Sequence, residues 1–542
     1  MNIDLNYSQL DKAFSVFLTQ RTEFKNQQKT DFQTLCAKLS FHQTQGHSCI
    51  VVSNDEQALI LGSGLASQSD LTPLILEQNR LYLHRYWFYE NRLSIQISHL
   101  LTHTFTYKNL ESVLCRYFIE LIDETDWQKE AAKMAISQGF SIITGGPGTG
   151  KTSTVVKILA ILQELAASEE LPLHIALAAP TGKAAMRLQE SINLSKNTLP
   201  CSESIKQLIP ETAFTLHRLL GPRPPSPYFK HNADQPLTYD LVVVDEASMI
   251  DLALMSKLVD ALKPTARLIL LGDKDQLASV ESGAVLADLT AALPNHTIVL
   301  KKSYRFQGEI KKLADAVNAQ STDEAWQMLQ GQQQQVSLLE QDMAEYAAEQ
   351  YTPYLQQIEK KADINAIFTA FSLFQILCSN RHGDYGVIEI NKLVEKKLVQ
   401  QNKIQLSGQW YVGRPIIVTE NNTAMKLYNG DIGICLFDKE SEKLAVFFQQ
   451  SDGEIKTVLP SRVPAHETAF AMTIHKSQGS EFDECLCVLS DKITPVLSKE
   501  LIYTAITRAK KKLKILSSYP VFCHALEQKV ERYGGLFEKL SN

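Results

Sequence analysis

Residues 145–152 read GGPGTGKT, and no other stretch restricts the possible folds of this chain as tightly. The octet follows an apolar run at 140–143 and opens onto TSTVVKILAILQEL, whose apolar residues recur at helical spacing. Strand, glycine-rich loop and helix in that order match GxxxxGK[ST], where glycines let successive backbone N–H groups turn toward a phosphate at a helix N-terminus. The cradle is Gly145, Gly146, Pro147, Gly148, Thr149 and Gly150. Lys151 then reaches the β- and γ-phosphates, and the Thr152 hydroxyl ligates Mg²⁺. The octet thus predicts an α/β nucleotide-binding unit.

The surrounding sequence has the texture such a unit needs. Apolar runs end in Gly, Asp or Thr and lead into helices: HIALAAPTG, LVVVDEAS, RLILLGD. Runs of this kind are buried on both faces of a parallel sheet, and residues just past their carboxyl ends line its site edge. In LVVVDEAS, Asp245 is the expected Mg²⁺ residue and Glu246 the base that orients and deprotonates water. In LILLGDKDQL, Asp273 and Gln276 are positioned to sense the γ-phosphate. In the second half, Arg305 of KSYRF and Arg508 of YTAITRAKK are candidates to reach the transferred phosphoryl group, because a planar guanidinium spreads positive charge over developing oxyanions.

At about 100–200 residues per domain, a chain of 542 residues predicts three or four domains. Residues 1–110 carry no catalytic pattern and are expected to stand apart; 111–300 form a first α/β unit with an insertion at 221–239, and 301–542 a second, with a small β insertion at 413–464. Residues 80–92, RLYLHRYWFYENR, read as a core strand with solvated arginines, a protein-docking face or a DNA platform, in that order of preference. His42, His47 and Cys49 lack a matching second pair, and nine scattered cysteines fit reduced thiols, so no structural metal is expected. A net charge of −6 excludes a globally basic coat protein and confines any nucleic-acid contact to a local groove. The opening residues lack the pattern of a signal peptide, and no run reaches the ~18 apolar residues of a membrane span, which predicts a cytoplasmic protein.

Taken in order, GGPGTGKT, APTGKAAMRL (179–188), TLHRLLG (215–221), VVVDEASMID, LLGDKDQLASVESG, SYRF, TIHKSQGSEF (473–482) and YTAITRAKK resemble the superfamily 1 helicases in their 5′-to-3′ branch. Within that branch the set is similar to the RecD family, the α chains of exodeoxyribonuclease V. LYLHRYWFYE, FQILCSNRHGDYGVIEIN and LYNGDIGI extend the resemblance over nearly the whole chain. It departs at Ala278, where many relatives have proline.

The resemblance implies two tandem RecA-like P-loop NTPase domains behind a smaller N-terminal domain. It also implies an ATP- and Mg²⁺-dependent motor that unwinds DNA 5′ to 3′ in a heterotrimer with RecB-like and RecC-like subunits, for double-strand break repair, recombination and degradation of linear DNA. No clustered carboxylate site is evident here, so the nuclease would lie in the RecB-like partner. Gln128 occupies the place of an adenine-recognising glutamine and Glu481 that of a carboxylate on the ribose. Thr181, Lys183, Thr215, His217, Thr473, His475 and Ser477 fall in segments that contact DNA, where hydroxyls, imidazoles and amides meet phosphate without reading bases. Residues 221–239 would hold a strand-separating hairpin and 413–464 a small β-barrel. Residues 1–110 would dock on the RecC-like subunit, with an exposed subset of Tyr82, Arg85, Trp87 and Tyr89 as anchors. A stand-alone helicase of the same branch, expected to carry a longer N-terminal extension, and an ATP-binding regulator without motor activity are the alternatives.

Overall fold

The computed structural model describes residues 7–68, 71–118, 125–167, 171–302, 308–331, 333–422, 424–450 and 454–541. Four strands near the N-terminus, β1 (Cys49–Val51), β2 (Ala66–Ser67), β3 (Leu74–Glu77) and β4 (Arg80–Leu83), form a sheet in the order β1-β4-β3-β2. Helices Gln9–Thr19 and Asn26–Thr44 belong to the same region, and Leu18, Phe32, Leu39, Ile50, Leu74 and Leu81 share one core. A reciprocal Ser8–Asp11 capping box starts the first helix.

The aromatic stretch 80–92 is not one strand. Alternation holds only through Leu83; from His84 the chain is helical to Leu101, because Tyr86, Tyr89, Leu93, Ile97 and Leu100 fall three or four residues apart and share one face. Tyr82 is fully buried, which removes it from any docking surface, whereas Arg85 and Phe88 are exposed. The Trp87 indole donates to Glu77 Oε1 at 3.2 Å. This helix packs into the core beneath the next sheet, and Val113, Leu114 and Tyr117 enter the core on that sheet's other face. Residues 84–110 therefore pack with the nucleotide-binding unit, as do 111–118, whereas the sequence placed the boundary at 110.

That second sheet holds β5 (Phe140–Thr144), β6 (Ile175–Ala179), β7 (Ala213–Thr215), β8 (Leu241–Val244), β9 (Arg267–Gly272) and β10 (Thr297–Val299), all parallel, in the order β10-β5-β9-β8-β6-β7. Its central strands are buried along their whole length, with an apolar core on each face. Residues 221–239 are irregular, with an antiparallel bridge of Pro222 to Phe229 and an exposed Tyr228.

The second half carries β11 (Val336–Leu338), β12 (Phe374–Cys378), β13 (Arg414–Val418), β14 (Ile432–Asp438), β15 (Lys443–Gln449), β16 (Ile455–Val458), β17 (His466–Thr468), β18 (Ala471–Thr473), β19 (Phe482–Val488) and β20 (Ala509–Leu516). A parallel sheet in the order β11-β20-β19-β12-β18 is interrupted by an antiparallel one, β16-β15-β14-β13-β17. Gly433 is obligatory in the insertion: a Cβ there would lie 2.6 Å from the Phe448 ring on the facing strand. After helix Tyr519–Glu527 the chain leaves this unit, and helix Leu536–Ser541 buries Leu536 in the core beneath the first parallel sheet. Ion pairs Arg80–Glu538 and Lys539–Glu77 fasten that last helix to the N-terminal sheet. No described helix is long and apolar enough to cross a membrane.

Candidate nucleotide site and interdomain cleft

Three neighbouring strands, β5, β9 and β8, deliver their carboxyl ends to one edge, bringing residues 145–152, Asp273 and Asp245 together. The Gly145 N–H donates to the Gly272 carbonyl at 3.2 Å, which ties the loop to β9. Steric demand explains the glycines. A Cβ on Gly145 would lie 2.8 Å from the Leu300 carbonyl, and one on Gly150, whose φ is +84°, would lie 2.4 Å from Gln128 Nε2. Gln128 lies at the start of helix Trp127–Ser137 and donates to the Thr149 carbonyl at 3.3 Å, so its amide rests against the loop. Lys151 Nζ donates to the carbonyls of Gly145 at 2.6 Å and Gly146 at 3.1 Å, folded over the loop that phosphates would enter.

Burial, reinforced by the neighbouring Glu246, pushes the Asp245 carboxyl up to about 6, against the lowering effect of Lys151 and Arg187. Glu246 adopts left-handed backbone, φ 53°, with its N–H donating to Asp245 Oδ1 at 2.8 Å. Such conformations cost about 1–3 kcal/mol on a non-glycine residue and cluster at functional sites. Asp245 and the Thr152 hydroxyl are hard oxygen donors of the kind Mg²⁺ prefers, and a divalent cation would compensate a buried carboxylate otherwise faced by another acid. Among the described residues no cluster of three His, Cys, Asp or Glu forms an all-protein metal cage.

Asp273 is buried, which raises its pKa, and its Oδ2 accepts from Gln276 Nε2 and from the Tyr503 hydroxyl, each at 3.0 Å. Tyr503 belongs to helix Lys499–Ile506 of the second parallel-sheet unit. Thr504 of the same helix accepts from the Leu277 N–H at 2.9 Å, and Gln478 Nε2 donates to the Leu277 carbonyl at 3.0 Å. The second unit therefore closes directly on the nucleotide edge of the first. Arg508 lies at the end of that helix, buried, with its guanidinium donating to the carbonyls of Thr504 and Ser480 and to the Thr507 hydroxyl. Arg305 lies outside the described residues.

Thr181 and Thr215 cap helices Gly182–Lys196 and Leu216–Leu220, following β6 and β7 at the same sheet edge. Lys183 faces the Phe482 ring at 5.9 Å, and burial, with Arg187 and Arg508 adding to it and Asp431 of the β insertion opposing it, lowers its pKa to about 8. His217 packs edge-on against Phe229 of the irregular loop. Across the cleft, the Thr473 hydroxyl accepts from the Lys476 N–H, and His475 is held down in pKa by burial and by Arg532. Ser477 is fully buried, its hydroxyl donating to the Ile474 carbonyl at 2.7 Å, so it shapes this turn from within. Glu481 lies 3.8 Å from Arg187.

Arg187, Gln478, Tyr503 and Thr504 were not singled out from the sequence. Arg187 was accessible to it, since it stands four residues after Lys183 on one helical face. For Tyr503 and Gln478 there was no local signal: their partners lie 230 and 201 residues away.

Comparison with known proteins adds an independent observation. A model of the AAA domain matches residues 128–282 and one of the UvrD-like helicase C-terminal domain matches residues 468–516. Over 538 residues the chain is 37% identical to the RecBCD enzyme subunit RecD of Haemophilus influenzae, covering 88% of this chain and 82% of that one. It is 39% identical over 466 residues to the subunit of the same name from Mycolicibacterium smegmatis, covering 85% and 82%. The ATP-dependent RecD2 DNA helicase of Deinococcus radiodurans is 32% identical over 373 residues, 68% of this chain and 46% of that one.

Proposed function

The chain belongs to the RecD family of RecBCD enzyme subunits, and on that premise we propose that it is an ATP-driven DNA helicase subunit, moving 5′ to 3′ on one strand beside RecB-like and RecC-like partners. The observation that carries this reading is the closure of Tyr503, Thr504 and Gln478 from one parallel-sheet unit onto Asp273 and Leu277 at the nucleotide edge of the other. A contact made across two units at the γ-phosphate position is what lets hydrolysis move one unit against the other.

In this reading Gln128 and Glu481 hold the adenine and ribose, residues 145–150 cradle the phosphates, and Lys151 leaves its two carbonyls for the β- and γ-phosphates. Thr152 and Asp245 hold Mg²⁺, which supplies charge neutralisation on the phosphates. Glu246 takes the proton of the attacking water. Gln276 reports the state of the γ-phosphate to Asp273 and so to Tyr503, while Arg305 supplies cationic charge from the second unit and Arg508, bonded to the carbonyls of its own turn, adds its charge from within. Thr181, Lys183, Thr215, His217, Thr473 and His475 line the strand path, and Ser477 supports it from inside its turn. The unit around 111–300, with helix His84–Leu101 and the last helix packed into it, and the unit from 301 to the end of helix Tyr519–Glu527 act as the two motor domains, and the region before His84 meets the partners, in the cytoplasm, where the nuclease of the assembly belongs to the RecB-like chain.

The test is ATP turnover and unwinding of 5′-tailed and 3′-tailed duplexes by the chain co-expressed with its RecB-like and RecC-like partners, the RecB-like motor being silenced. Turnover stimulated by single-stranded DNA, with a preference for the 5′ tail, is expected. Glu246→Gln should bind ATP yet turn it over about 10²-fold more slowly, the scale of a lost general base. Unstimulated turnover, or stimulation with no unwinding, refutes the reading.

A further inference from the structure

Residues 528–535 form a strap between the two motor units. Near its start the strap is held by helix Lys499–Ile506, the helix that carries Tyr503 and Thr504: the Lys499 N–H donates to the Gln528 carbonyl at 2.8 Å and the Val530 N–H to Glu500 Oε2 at 3.1 Å. Two residues later it has crossed to the first unit. Arg532 Nη1 donates to the carbonyls of Glu281 at 2.6 Å and Gly283 at 2.8 Å, and Nη2 to that of Ser279 at 2.5 Å. One guanidinium thus gathers three carbonyls of the loop that continues from Gln276 and Leu277.

The far side of this contact is built for a close approach. Gly46, at φ +88°, lies where a Cβ would come within 2.9 Å of Arg532 Cζ, and its carbonyl accepts from the Gly283 N–H at 2.9 Å. Beyond Arg532, Tyr533 stacks on His47 and its N–H donates to His47 Nδ1 at 2.9 Å. Gly535 donates to the buried Glu90 at a position where a Cβ would lie 2.2 Å from the Tyr82 hydroxyl. The strap is therefore seated in the N-terminal region as well. Val280, at the tip of the same loop, is 75% exposed.

Two residues span at most about 7 Å of extended chain, so helix Lys499–Ile506 and the 279–283 loop are joined by a tether of that backbone plus the Glu500 and Arg532 side chains, and their separation is limited unless one anchor releases. We propose that Arg532 is a positioning residue of the motor: it holds the 277–283 loop in register with helix Lys499–Ile506, so that ATP turnover responds to DNA only while the C-terminal strap is seated. Arg532 touches neither the phosphate loop nor the acidic pair; its hold on the nucleotide edge passes through Leu277 and Gln276, and its charge also bears on His475. The inference rests on the proposed motor function and adds to it a device by which the state of the N-terminal region is felt at the nucleotide.

The experiment compares the parent with Arg532→Ala and Arg532→Lys, each as the full chain with its co-expressed partners and the RecB-like ATPase silenced. It measures kcat and KM for ATP at saturating oligo-dT, together with hydrogen exchange of the backbone amides at 145–152 and 277–283. For Arg532→Ala, loss of several charge-assisted bonds predicts a DNA-stimulated kcat lower by about tenfold, a KM for ATP within about twofold of the parent, faster exchange confined to 277–283, and partial recovery in Arg532→Lys. An unchanged kcat overturns the proposal. So does a parallel loss in kcat, KM and exchange at both segments with no difference between the two variants, the signature of a general structural role. If Arg532→Ala does not accumulate, Arg532→Lys decides by the same two readouts. A parent without DNA-stimulated turnover refutes the motor reading itself, before any variant is compared.

Discussion

Removing one oxygen from Tyr503 should measure how strongly the two motor units are coupled. Tyr503 is 5% exposed, and burial together with Asp273 raises its pKa well above the ordinary value, so the phenol keeps its proton and donates to the carboxylate. Tyr503→Phe preserves the ring and its packing while leaving Asp273 with the Gln276 amide on Oδ2 and the Asp275 N–H on Oδ1, and removes the phenol donor from Oδ2. A hydrogen bond to a charged group contributes about 1.5–3 kcal/mol net, so kcat/KM for ATP at saturating single-stranded DNA should fall by about ten- to hundredfold. The discriminating assay is a double-mutant cycle with Asp273→Asn. If the bond couples the units in the reacting state, the double variant should lose less than the sum of the singles, by about 1–2 kcal/mol. Additivity within about 0.5 kcal/mol would show that the two side chains do not meet when hydrolysis occurs, and would refute the reasoning.

Lys151→Ala should abolish ATP-driven unwinding while the chain still folds, because Nζ donates to two carbonyls of the phosphate loop and eases the burial of Asp245 and Asp273 but fills no apolar core; unwinding of a 5′-tailed duplex at near parental rate would contradict this. Lys183, lowered to about 8, is charged below that pH and neutral above it, so affinity for an oligo-dT probe at low salt should weaken as pH rises from 7 to 9; Lys183→Arg should abolish that dependence in fluorescence anisotropy, and equal slopes would sink the assignment. Asp288, raised to about 7 by burial and by Glu90 and Glu538, holds a proton in the folded state that the unfolded chain releases above about 4. Stability therefore declines as pH climbs from about 4 to 7, with the full penalty above 7. Asp288→Asn should raise the melting temperature most at pH 8 and progressively less toward pH 4; a pH-independent shift would show that the charge is not responsible.

What could be read from one dimension was local chemistry. Strand, loop and helix around GGPGTGKT are consecutive, so periodicity and glycine placement together predict a strand–loop–helix of the phosphate-binding type, and LVVVDE and LILLGD announce their own strand ends. The antiparallel insertion was equally visible, because alternation and turn residues are short-range signals; its fifth strand, His466–Thr468, lies beyond the boundary at 464, since its pairing with β13 bridges about fifty residues. The 80–92 segment shows the limit of pattern reading. Tyr82 faces inward on a strand, whereas Trp87 and Tyr89 follow a helical period, and aromatic density alone does not distinguish the two. Ser477 and Arg508 stand in motifs that name them as contact residues, yet whether a side chain points into a cleft or into its own turn is decided by packing. Only the tertiary structure placed Tyr503 on Asp273 and Arg532 on the 279–283 loop, and only it returned the last helix to the first sheet. Contacts between residues more than two hundred positions apart leave no periodic trace in the chain; they exist because two separately nucleated sheets bury their edges against each other, and that burial, rather than local preference, selects which side chains meet.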